Sequence, residues 1–155
     1  MNLFESWEVV REPKFVSEAR DRARGVLTGW GLLDDDILLM LTELLTNALV
    51  HGEGRIFVSL SWNAEQGRLT CAVGDGGNAP TTPWDVTMAA SQQDDDLAEN
   101  GRGLAIVDML ADEWGVTSGP DGVGKAVWFC RRPGEPVALP GDHRITTRST
   151  PGATA

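Results

Sequence analysis

Three short stretches of the chain carry residue types that do chemistry. In LTELLTNALVHG, Leu41 to Gly52, the residues Glu43, Asn47 and His51 recur every four positions in an otherwise leucine-rich run. On an α-helix that spacing stacks an acid, an amide and an imidazole along one stripe. An unpaired buried carboxylate is costly. An acid on such a helix therefore implies a partner, a cation or a water that it polarises. The Asn47 carbonyl oxygen suits a hard cation such as Mg2+. In VGDGGNAP, Val73 to Pro80, Asp75 ends a strand on the face shared by Leu69, Cys71 and Val73. A carboxylate there accepts from an exocyclic amine, adenine's for example, and bonds to charged groups contribute about 1.5–3 kcal/mol. Gly76 and Gly77 let the backbone turn beneath a ligand. In ENGRGLAIV, Gly101 and Gly103 lie just before a helix. Free N–H groups at a helix start form an anion site, and Arg102 adds a charged contact to phosphate. Each stretch alone also has a plain reading, as a helix surface, a turn and a helix start.

The elements that must position these residues follow from periodicity. LFESWEVV alternates and reads as a strand. Phe15, Val16, Ala19, Ala23, Val26, Leu27 and Trp30 recur at helical spacing after Pro13, and Gly29 and Gly31 close that helix. Asp34, Asp35 and Asp36 supply an N-cap and favourable charge for a second helix running to about Val50. RIFVSLSW and RLTCAV form a hairpin around NAEQG. The segment from Gly74 to Gly103, with its triplet Asp94 to Asp96, is irregular and long enough to be a functional or mobile loop. LAIVDMLADEW restores helical spacing. WGVTS, a GPDGVG turn and KAVWFC make a last hairpin. The order β-α-α-β-β-loop-α-β-β predicts an α+β fold: a two-layer α/β sandwich, with a mixed, mainly antiparallel sheet covered on one face by three helices. Residues 1–132 form the domain, and 133–155, rich in Pro, Gly and Thr, read as a disordered tail.

Composition narrows the function. At 155 residues the chain builds one core. Net charge of −10 argues against nucleic acid as a direct partner and allows a basic protein partner. No apolar run approaches the roughly 20 residues of a membrane span, and the N-terminus lacks a secretory pattern, so a cytoplasmic protein is expected. Cys71 and Cys130 read as small buried hydrophobes without a disulfide. With His51 and His143 the only histidines, no zinc cluster can be assembled.

Taken in order, the three stretches resemble the Bergerat ATP-binding fold shared by gyrase, histidine kinases and MutL-type ATPases. ELLTNALVHG resembles its N-box, DGG its first glycine box and GRGL its second. The chain looks most like the small anti-sigma factor serine kinases and their actinobacterial relatives. SWEVV, the helix ending in GWGL and the closing GKAVWF fit them too, over about residues 4 to 131. The resemblance implies an ATP- and Mg2+-dependent protein serine/threonine kinase, with Glu43 as general base and Asn47 as metal ligand. It implies Asp75 at the adenine amine, Gly77 supporting the adenine pocket, and Gly101, Arg102, Gly103 and Leu104 at the phosphates. The irregular segment would be the lid over ATP. The implied partners are a sigma factor and/or an anti-anti-sigma (antagonist) protein, and such relatives often form homodimers. His51 reads as a capping or packing residue.

Two positions depart from the family pattern. Ala79 replaces the last glycine of D-x-G-x-G, and Ala126 stands where relatives often carry Thr or Ser near the adenine-binding Asp. Both bear on nucleotide affinity rather than fold. They motivate an alternative, a nucleotide-gated module that captures a protein without chemistry. GPDGVGKA nearly matches a P-loop, but it lacks the Ser/Thr and leads into a strand rather than a helix. It reads as a hairpin turn.

Overall fold

In the computed structural model, residues 1–84, 86 and 102–133 are described below. Five strands and three helices are laid down in the order β1 (Leu3–Val9), α1 (Pro13–Trp30), α2 (Asp35–His51), β2 (Ile56–Asn63), β3 (Arg68–Asp75), α3 (Arg102–Leu110), β4 (Glu113–Ser118) and β5 (Lys125–Arg131). The sheet order is β1-β2-β3-β5-β4, and every neighbouring pair is antiparallel. The mixed sheet expected from sequence is thus antiparallel throughout.

Alternation decides what each sheet face carries. Ile56, Val58 and Leu60 of β2, Leu69, Cys71 and Val73 of β3, and Phe129 of β5 face the helices. They meet Ala19, Ala23 and Leu27 of α1, Leu41, Leu44 and Leu45 of α2, and Leu104 and Val107 of α3. The opposite face is also partly covered. Ala72, Trp128 and Cys130 pack with Val86 and Trp84, and the Trp84 ring meets Phe57 edge-on at 6.3 Å and 62°. Cys71 and Cys130 therefore lie on opposite faces, both buried as free thiols.

The helix ends follow local chemistry. Gly31 closes α1 in the left-handed conformation, φ 75°. Asp34 caps α2 by accepting from the Asp36 N–H at 2.8 Å. α3 stops at Leu110, short of the helix expected through Trp114. The Asp112 N–H donates to the Cys130 carbonyl at 2.9 Å, and Trp114 pairs with Phe129 in the β4–β5 ladder. Sheet pairing here outweighs a helical spacing that the sequence continues for another turn.

Arg11, which no sequence motif singled out, caps the other end of α2. Its Nη1 donates to the carbonyls of Ala48 and Leu49 at 2.5 and 3.0 Å, and its Nε to Gly54 at 2.8 Å. These groups sit at the negative end of the helix dipole. Arg11→Ala is expected to cost about 2 kcal/mol. That corresponds to a melting temperature roughly 4–8 °C lower, readable by circular dichroism.

Candidate functional site

The leucine-rich face of α2 fills the core, with Ile37, Met40, Leu41 and Leu45 fully enclosed. Residues four apart advance by about 40° around a helix, so a stripe at that spacing drifts off any one face. Glu43 and Asn47 are accordingly half-buried, and His51, in the last turn, is exposed. This corrects the reading of Glu43 as a core carboxylate. It keeps contact with water, and no described residue hydrogen-bonds or ion-pairs with it. His51 is not packed either.

Asn47 and His51 share a cavity with Asp75. Its walls are Leu44, Asn47, Ala48, His51 and Gly52 of α2 and its cap, Val73 and Asp75 of β3, and Lys125 and Val127 of β5. It has an apolar floor, a carboxylate acceptor, an amide and an ammonium donor. This suits a flat heterocycle with a polar edge. The described residues enclose about 30 Å3. That is well below the roughly 300–1,000 Å3 of complete small-molecule sites, so they form the bottom of a site only. Glu43 lies one turn before Asn47 on the same stripe, outside these walls. A cavity of about 400 Å3 lies against the opposite sheet face, between Ser61, Thr70, Pro83 and Trp84. None of the residues singled out for chemistry reaches it.

Burial is the main influence on Asp75 and pushes its carboxyl above the ordinary value of 3.8. The charges of Lys125 and Arg11 and the Glu53 backbone N–H pull it down, and the Glu53 carboxylate pushes it up. The carboxylate is held in place from below. A Cβ on Gly52 would lie 2.3 Å from Asp75 Oδ2 and 2.7 Å from the Ala48 carbonyl. Only glycine lets the end of α2 pass this close.

The hairpin that mimics a P-loop has a different task. Gly124, with φ +73°, lies so close to β3 that a Cβ would sit 2.0 Å from the Asp75 carbonyl oxygen. Asn78 bridges the two turns, accepting from Arg55 at 3.0 Å and donating to Asp121 at 3.3 Å. A Cβ on Gly77 would lie 2.8 Å from the Val123 carbonyl, so Gly77 meets this hairpin rather than the cavity. The β3–β5 register puts Lys125 directly opposite Asp75. Ala126 pairs with Gly74 and points to the other face of the sheet. Ala126 is thus near Asp75 along the ladder, but it is Lys125 that shares the face of Asp75.

At the third stretch, Arg102 and Gly103 open α3. The Leu104 side chain is in the core, leaving only its backbone for a ligand. Gly101 and the Asp94–Asp96 triplet lie outside the described residues. The far end of α3 is tied down by Arg131. Its Nη1 donates to the Leu110 carbonyl at 2.7 Å, and its Nη2 lies 3.3 Å from Asp34 and 3.1 Å from Asp36. The first aspartate triplet thus holds a buried arginine as well as capping α2. Among the described residues no group of acids, histidines and cysteines could hold a metal ion by itself. Asn47 would be the protein's ligand to a cation carried in by a nucleotide.

No curated protein matches the chain. The family model described as the histidine kinase-like ATPase domain matches residues 9–131, from the end of β1 to the end of β5. The match spans the antiparallel sheet and its three helices, and the chain belongs to this family of ATP-binding domains.

Proposed function

We propose that the chain binds ATP with Mg2+ and transfers the γ-phosphate to a serine or threonine of a protein antagonist, regulating a sigma factor that it also sequesters. The observation that carries this reading is the meeting of Asn47 and Asp75 in one cavity, with Glu43 one turn away on the same helix stripe. Asp75 accepts from the adenine amine. Gly77 supports the pocket through the hairpin. Asn47 holds the cation, which would neutralise phosphate charge. The backbone from Gly101 to Leu104, with the Arg102 guanidinium, meets the phosphates. Glu43 takes the proton of the attacking hydroxyl as its oxygen bonds to phosphorus and ADP departs. The reading places the protein in the cytoplasm, as a homodimer. No helix among the described residues is long and apolar enough to cross a membrane.

One observation favours a second reading, a nucleotide-gated binding module without transfer. Glu43 does not wall the cavity that Asn47 and Asp75 share. Calorimetric titration with ATP and Mg2+, followed by incubation of candidate antagonists with radiolabelled ATP, decides between them. Binding with transfer supports the kinase, binding without transfer the module, and no binding removes both.

The raised pKa of Asp75 gives a pH dependence. In the free protein, its contribution to folding is present below the ordinary aspartate pKa and lost as pH rises through the raised one. A donor amine bonds the ionised carboxylate more strongly than the protonated acid and so offsets that penalty. ATP affinity is expected to decline as pH falls through the raised pKa. Titrations across the acidic range check this, and Asp75→Asn should flatten the profile.

A further inference from the structure

We infer that Lys125 is a second base-reading residue, donating a hydrogen bond to the ring nitrogen beside the amine that Asp75 recognises. The inference rests on the adenine-binding reading above. Lys125 stands opposite Asp75 in the β3–β5 ladder, and both side chains line the same cavity. They are not joined in a direct ion pair: among the described residues the ion pairs of 4.0 Å or less include none between them. The two groups are thus held as neighbours with room between them.

Their chemistry is complementary to one edge of a purine. A carboxylate only accepts and an ammonium only donates. The six-membered edge of adenine offers an amine hydrogen beside the unprotonated nitrogen N1, a donor next to an acceptor. Asp75 and Lys125 present the reverse pair from adjacent strands. The remaining walls, Leu44, Ala48, Val73 and Val127, are apolar and suit the faces of the ring. Lys125 is anchored for this task by its neighbour. Gly124 packs on the backbone of Asp75, so the start of β5 cannot slide away from the end of β3. The ammonium also needs no other partner: no described residue hydrogen-bonds or ion-pairs with it.

The test compares ATP with 1-deaza-ATP, in which N1 is replaced by CH and the amine is kept. Both are titrated calorimetrically with Mg2+ into the wild-type chain and into Lys125→Met. The wild type is expected to bind ATP at least about 10-fold more tightly than 1-deaza-ATP. Lys125→Met should lose affinity for ATP by a similar factor and bind the two nucleotides alike. Equal binding of both nucleotides by the wild type overturns the inference while leaving ATP recognition by Asp75 standing. An unchanged preference for ATP in Lys125→Met overturns it as well. Absence of any ATP binding by the wild type removes the underlying reading and this inference together. Because the readout is a ratio of two affinities in one protein, a partly destabilised variant cannot mimic it.

Discussion

Glu43→Gln is expected to slow phosphate transfer to the protein antagonist by about 10²–10⁴-fold while leaving ATP affinity within a factor of two or so. The asymmetry follows from where Glu43 sits. It shares the helix stripe of Asn47 but not the cavity walls, so it makes none of the contacts that would hold the base. It is half-buried without a described partner, so replacing it disturbs no hydrogen-bond network. Surface-like substitutions of this kind change stability by about 0.5 kcal/mol or less. The measurement is single-turnover transfer of labelled phosphate, with calorimetry on the same preparations. Transfer at the wild-type rate in Glu43→Gln would sink the assignment of the base. A parallel loss of ATP affinity would mean that Glu43 belongs to the binding site instead.

The second large effect is expected at Gly124, in the hairpin between β4 and β5. Gly124→Ala places a side chain in the left-handed region, at about 1–2 kcal/mol. It also drives a methyl group into the Asp75 carbonyl, 2.0 Å away. Backbone cannot yield as a flexible side chain does. The hairpin must lift from β3, carrying Lys125 with it. Combined destabilisation of about 2–4 kcal/mol is expected, with ATP affinity reduced more than about 10-fold. Gly122→Ala is the control. Its φ is +79°, yet nothing lies within 4 Å of the added methyl. It should cost the conformational strain alone and leave nucleotide binding intact. Thermal unfolding and calorimetry of the two variants separate collision from strain.

What the sequence disclosed, and what it hid, divides along local and non-local lines. Period-two alternation in RIFVSLSW and helical spacing around Leu41, Leu44, Leu45 and Ala48 placed β2 and α2 to within about a residue, because those signals are written in adjacent positions. The Asp34 cap was readable for the same reason. The neighbour of β3 was not readable. Asp75 and Lys125 are paired across the sheet by a register that leaves no period in the chain. A shift of one residue exchanges the two faces, so Lys125 and not Ala126 shares the face of Asp75. Arg11 escaped notice because it acts on carbonyl oxygens of a helix end 37 and 38 residues away, and backbone acceptors have no sequence signature. The half-burial of Glu43 departs from the core position expected of it, since four-residue spacing drifts around the helix.

The anchoring of Arg131 has a mechanical consequence. One guanidinium grips the final carbonyl of α3 and the opening aspartates of α2. A helix fastened at its tail cannot translate lengthwise. Any rearrangement of α3 must therefore swing it about that rivet, with the largest displacement at its first turn and almost none on the sheet.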